Sequence, residues 1–146
     1  MVDLSWSAVE EAILAALQTE LGSLAPTIAS HQGNWLKDLQ SRAWRLPAVL
    51  LRWRQSRSEQ VALGSADLTL NFTILVAVQP LRGEVEGRFQ EDGVYQILEG
   101  VRQALWHQDL GLEIIPLTLE KEEPWLNTKE LAVYGAEYRT SLVKDF

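Results

Sequence analysis

Leu68-Thr-Leu-Asn-Phe-Thr-Ile-Leu-Val-Ala-Val-Gln79 decides the fold. Leu68, Leu70, Phe72, Ile74, Val76 and Val78 alternate with Thr69, Asn71, Thr73, Leu75, Ala77 and Gln79. Successive side chains of a strand point to opposite faces, so the first set makes an unbroken apolar row. Neither proline nor glycine interrupts it, and its β-branched and aromatic residues suit a pleated surface. Each large side chain in the row contributes roughly 1.5–3 kcal/mol on burial. A slip of one residue would turn the row outward, which fixes the register. The second face is polar at one end and carries Leu75 and Ala77 at the other, ready for solvent, a partial cover or another subunit. The stretch reads as a central strand.

Its neighbours follow the same logic. Leu46-Pro-Ala-Val-Leu-Leu-Arg-Trp-Arg54 reads as a strand, with Pro47 at its start, where a missing N–H is tolerated. Val49, Leu51 and Trp53 share one face; Ala48, Leu50, Arg52 and Arg54 share the other. Residues 55–66 are polar and carry a Gly64-Ser65 turn signal, so they predict a hairpin with a long tip. Residues 81–91, glycine-bearing and charged, predict an exposed loop or β-extension. Asp92 is an expected N-cap for a helix ending near His107, with Val94, Ile97, Leu98, Val101 and Leu105 as its apolar stripe. Residues 117–122 and 131–142 alternate and form a second hairpin, joined through a loop around Pro124 to Asn127. Upstream, Ser7-Ala-Val-Glu10 is the expected capping box of a first helix over residues 7–21, which Gly22 ends. A short strand over 26–30 and a short helix over 34–42, capped by Asn34, complete the reading. The predicted architecture is one α+β domain over residues 1–146, a mostly antiparallel four-stranded sheet with two main helices on one face.

Composition narrows the chemistry. The 146-residue chain has no cysteine, which removes disulfides, thiolate metal sites and cysteine nucleophiles and fits a reducing compartment. A net charge of −7 argues against wrapping nucleic acid, which needs a basic footprint. The opening Met-Val-Asp-Leu-Ser-Trp lacks a basic segment followed by an apolar run, so no signal peptide is expected. No apolar run approaches the ~20 residues that span a bilayer, so no membrane partner is expected. Six tryptophans favour self-assembly, since indoles are enriched at interfaces.

His31 and His107 lie far apart without a ligand pattern and read as surface or partly buried residues. There is no G-x-S-x-G elbow, and Gly83 and Gly87 do not make a phosphate loop. The carboxylates Glu84, Glu86, Glu91 and Asp92, and Glu120, Glu122 and Glu123, read as a solvated face or a charged interface rather than a metal or acid–base site. Arg42, Arg45, Arg52, Arg54 and Arg57 interleave with Trp44 and Trp53, the composition of a single-strand nucleic-acid platform. The alternative is a set of arginines on the outer face of a strand, paired with carboxylates of a neighbouring strand or subunit. The acidic balance favours the alternative. No enzyme, cofactor or metal is expected.

Arg45-Leu-Pro-Ala-Val-Leu-Leu51, Phe72-Thr-Ile-Leu-Val-Ala-Val78, Tyr95-Gln-Ile-Leu-Glu-Gly-Val-Arg-Gln-Ala-Leu105 and Leu131-Ala-Val-Tyr-Gly-Ala-Glu-Tyr138 together resemble the tail terminator family of Mu-like phages and prophages. The resemblance runs from the first helix through the last strand and rests on packing residues; residues 35–53 and 81–91 depart from it. It implies an α+β subunit that assembles as a ring, a hexamer in this family, on the head-proximal end of the tail tube. Such a ring ends tube growth, holds the last sheath ring of a contractile tail and meets the neck. The implied partners are further copies of the chain, tube, sheath and neck or head-completion proteins, with genomic DNA passing through unread. The implied location is the virion tail, after assembly in the bacterial host cytoplasm. Candidate assembly-interface residues are Arg52, Arg54, Arg57, Glu84, Glu86, Arg88 and Trp125. The competing readings are another neck or tube subunit of the same tail and a single-stranded nucleic-acid-binding module.

Overall fold

Ser5, in extended conformation, accepts a 3.3 Å hydrogen bond from the Ala8 N–H and opens α1, Trp6–Leu21. The helix therefore starts two residues before the expected Ser7 box. The earlier start brings Trp6 into the first turn, where its ring lies 6.1 Å from both Trp53 and Phe72. Val9, Ile13, Leu17 and Leu21 form the buried stripe at a spacing of four. The computed structural model describes residues 5–41, 44–79 and 93–145.

Five strands follow: β1 (Thr27–Ser30), β2 (Ala48–Ala62), β3 (Ser65–Val78), β4 (Thr118–Asn127) and β5 (Ala132–Asp145). Their order in the sheet is β1-β2-β3-β5-β4. Four strands pair antiparallel as expected, but β1 joins as a fifth and runs parallel to β2, so the sheet is mixed. The short helix α2, Trp35–Gln40, makes that crossover, and its cap is Asn34, whose side chain accepts from the Lys37 N–H.

β3 holds the centre with the predicted faces. A third helix, α3, is Val94–Leu105, with Val94, Ile97, Leu98, Val101 and Leu105 buried. Leu70, Phe72, Ile74, Val76 and Val78 belong to the main core with α1, α3 and the inner rows of β2 and β5. The N-cap of α3 is Gly93, without a side-chain cap bond, and Asp92 lies outside the described residues. The helix stops at Leu105 because Trp106 is extended and His107 has a φ of 66°. A Cβ on Gly100 would stand 2.3 Å from Leu21 Cδ2, so the absence of a side chain lets α3 lie tightly on α1.

The face opposite α1 has a second, smaller core. Ala48, Leu50, Leu75, Ala77, Leu131 and Val133 are buried there beneath Leu39 of α2, with Trp35, Trp44, Leu46, Trp125 and Leu126 packed on them. Thus α1 and α3 share one face as predicted, while α2 covers part of the other.

Two further corrections concern the strands. Residues 55–62 continue β2 instead of forming a long tip, and only Leu63 and Gly64 turn, Gly64 at a φ of 86° that glycine adopts without strain. Pairing then runs from Ala62↔Ser65 down the hairpin, with one-residue shifts at Gln60/Ala62 and at Trp53/Gln55. β4 runs through the expected loop to Asn127, with shifts at Leu119/Lys121 and Pro124/Leu126. It is an edge strand, the position where proline and bulges are tolerated. Arg102 of α3 forks onto Glu122 of β4, with contacts of 3.0, 3.2 and 2.7 Å, tying helix to edge. That hydrogen bond holds the Arg102 guanidinium above its ordinary pKa.

Candidate assembly interface

The distal half of β2 is built unlike the rest. Residues 53–62 are all exposed, on both faces, whereas Ala48, Val49, Leu50 and Leu51 are fully buried. β1 pairs only with Ala48 to Leu51, so beyond Leu51 the outer edge of β2 has no strand partner among the described residues. Apart from Trp53, which packs on Trp6, this half of β2 buries no large side chain and draws its order from the ladder to β3, which β5 flanks as far as Ser65↔Asp145. This exposed half of β2 is an arm on the edge of the sheet. Val61 near the end of β2 and Leu63 in the turn are 55% and 99% exposed, and Val143 of β5 is exposed as well.

The candidate residues fall into different settings. Arg52 points to the face that α2 partly covers and is engaged within the chain. Its Nη1 lies 2.8 Å from His31 Nδ1 and donates to the Gly33 carbonyl at 2.9 Å. Guanidinium has only donors, so His31 Nδ1 accepts and its Nε2–H donates to Asp38, 2.8 Å away. Trp44 packs edge-on against the same imidazole at 4.9 Å. Burial lowers the Arg52 pKa from its ordinary value.

Arg54 reaches across β3 to Glu137 of β5 at 3.1 Å, and Lys121 of β4 joins the same carboxylate at 3.4 Å. Lys121 also bonds Glu123, and these carboxylates raise its pKa, Glu123 first and then Glu137. Arg57 lines a shallow groove of about 590 Å³ on the sheet face opposite α1, with Arg54, Glu59, Asp67, Glu120 and Arg139. The structure thus brings Arg54 and Arg57 to one surface and holds Arg52 in a separate, partly buried cluster. Glu84, Glu86 and Arg88 lie outside the described residues, as does Arg42.

Trp125 is half-buried. Its indole lies over the Gly135 backbone, where an added Cβ would stand 2.5 Å from Cε2, and 5.5 Å from the Trp35 ring. Gly135→Val is expected to expel the indole and cost about 1–3 kcal/mol, the range for overpacking a filled site. Tryptophan fluorescence and urea melts check it; an unchanged emission spectrum would refute the close seat. The signal for this contact is in the sequence, because a glycine within a strand marks a close approach.

Sequence reasoning missed Glu137, Arg139 and the apolar tip. Val61-Ala-Leu63 breaks an otherwise polar run just before Gly64, and that break is the signal that marks the tip. The arginine–tryptophan constellation is dispersed: Trp53 packs on Trp6, Trp44 on His31, and Arg52 turns inward. Among the described residues no helix is long and apolar enough to cross a membrane. No group of three or more described histidine or acidic side chains is placed to hold a metal ion.

A mixed sheet with two helices on one face, a short one on the other and a solvent-exposed arm defines a scaffold with surfaces to offer. The model of the family described as Bacteriophage Mu, Gp37 matches residues 5–143, and the chain belongs to that family of Mu-like phage proteins. No curated protein matches the sequence.

Proposed function

We propose that this phage protein is a structural tail subunit that closes the head-proximal end of the tail tube as a ring of identical copies, six in the reading the family resemblance favours. The ring ends tube and sheath growth and offers the neck its joining surface, by contact rather than catalysis and without a cofactor. Its partners are tube, sheath and neck proteins, and DNA passes through it unread, in a tail assembled in the host cytoplasm. The observation that carries this reading is the arm: ten consecutive β2 residues, 53–62, ordered yet exposed on both faces. Order without burial suits a segment whose partner is another molecule. A closed ring requires two different complementary patches on each subunit, and an arm supplies one of them.

The test is reversal of Arg54 and Arg57 to glutamate with Arg52 left intact. Arg57 is exposed, and Arg54 is half exposed and leaves Lys121 on Glu137, so the folding free energy should change by about 1 kcal/mol. Tubes assembled with the variant should run past their normal length in electron micrographs. Normal length and yield with a folded variant would remove the arm from the assembly surface. Wild-type protein that stacks into tubes instead of stopping at rings would favour the competing tube-subunit reading.

A further inference from the structure

The connection from β1 to α2 is fastened to the sheet through one imidazole. His31 follows β1 directly, its side chain is 10% exposed, and both its ring nitrogens are engaged. Nδ1 accepts from Arg52 of β2 and Nε2–H donates to Asp38 of α2, each at 2.8 Å. The same Arg52 nitrogen donates to the Gly33 carbonyl, so one guanidinium pins this connection against β2. The seat of α2 depends on it. A helix of six residues does not hold together alone, and Leu39 is the one side chain that α2 buries in the second core.

This arrangement exists in a single protonation state. A guanidinium only donates, so Arg52 needs the bare lone pair of Nδ1. A second proton on the ring takes that lone pair and sets N–H against N–H and cation against cation. The bond to Asp38 survives, because Nε2–H still donates and now does so from a charged ring. Protonation therefore acts on one side of the imidazole: Arg52 leaves and Asp38 stays. The other charges on the elements around His31 do not oppose this. β1 has no ionisable side chain, α2 adds Lys37, and the described residues just before β2 add Arg45, both cations without affinity for an imidazolium. Across the sheet, Arg52 shares a rung with Thr73 and Glu137, and Glu137 is already held by Arg54 and Lys121. That carboxylate is the destination nearest in register for a released guanidinium.

We propose that His31 is a proton-operated latch: a second proton on its ring releases Arg52 from His31 and Gly33, and α2 with the connection before it loosens from the sheet. The released form binds one proton more than the closed form, so release is favoured as pH falls and undone as pH rises. Loosening α2 uncovers the second core beneath Leu39, where Leu50, Leu75 and Val133 lie. The other histidine of the chain, His107, stacks on Trp106 after α3 and takes no part. The latch belongs to the single subunit and operates whether or not copies form a ring.

Amide hydrogen exchange of the full chain, corrected for the intrinsic effect of pH, is compared at about pH 8 and about pH 5, either side of the range where imidazole titrates. Nitrogen NMR of the histidine rings follows the proton in the same samples. Protection of the bonded amides of Lys37, Asp38 and Ser41 should fall about tenfold at the acid end, the scale of one hydrogen bond to a charged group. The fall should accompany protonation of His31 Nδ1, while the amides of β3 keep their protection. His31→Gln retains a carbonyl for Arg52 and an N–H for Asp38 but takes no proton, so its exchange should not change with pH. His107→Gln should behave as the parent does. An acid-end loss in His31→Gln equal to the parent's overturns the latch. So does a parent in which Nδ1 takes the proton while α2 keeps its protection, or in which Nδ1 is still bare at the acid end.

Discussion

Phe72→Ala is expected to remove about 3–5 kcal/mol of stability, the cost of emptying a large aromatic site whose surroundings relax only in part. Phe72 has no solvent exposure and sits mid-row in β3, between Leu70 and Ile74. Its ring stacks on Tyr138 of β5 at 5.9 Å and 12°, and meets Trp6 of α1 at 6.1 Å. The substitution therefore opens a cavity where helix, central strand and neighbouring strand converge. Urea melts should show the transition midpoint falling sharply with little change of slope. A loss below about 1 kcal/mol would mean that the site collapses around the missing ring, contrary to its close packing.

Arg52→Glu is expected to cost about 1–3 kcal/mol, the penalty for leaving partly buried polar groups unsatisfied. The sequence puts Arg52 and Arg54 on one strand face, where reversal of either charge should leave the fold intact. The structure separates them. Arg54 lies over the open sheet, about half exposed, with Glu137 as its partner. Arg52 is held under the His31–Asp38 pair and Trp44. A glutamate at position 52 would bring a carboxylate toward the Gly33 carbonyl and the bare Nδ1 of His31, with the Asp38 carboxylate nearby. With its proton on Nε2 toward Asp38, His31 offers the new carboxylate no donor, and neither do the other two groups. Equilibrium melts of Arg52→Glu beside Arg54→Glu check the distinction, and equal effects would contradict it.

The parts of the fold written in long periodic runs were legible. Alternation from Leu70 to Val78 placed the central strand and both its faces, and the spacing of Val9, Ile13, Leu17 and Leu21 placed α1. The short strand over 26–30 was legible too, as β1, but its parallel pairing was not, because that depends on a partner some twenty positions away. Where burial is absent, the pattern fell silent. Residues 55–62 are exposed on both faces, so no alternation marks them as strand, although cross-strand bonds make them one. Pro124 reads as a break, yet an edge strand accommodates it. For the candidate interface, composition pointed to arginines on β2 but could not separate them. The contacts that do so, from His31 to Arg52 and from Arg54 to Glu137, join residues more than twenty positions apart.

The one-residue shift between Trp53 and Gln55 also governs how the arm tolerates insertion and deletion. Trp53 faces Phe72 and Gln55 faces Asn71, so two steps on β2 match one on β3. Arg54 is thus spare length in the ladder. Removing it would forfeit the bond to Glu137 yet leave Gln55, Arg57 and Glu59 pointing as they do now. Removing Asn71 from the facing strand has no such slack and would turn over one side of the arm. A lineage can therefore trim β2 at this joint while keeping the face that the arm presents, whereas β3 is held to its present length.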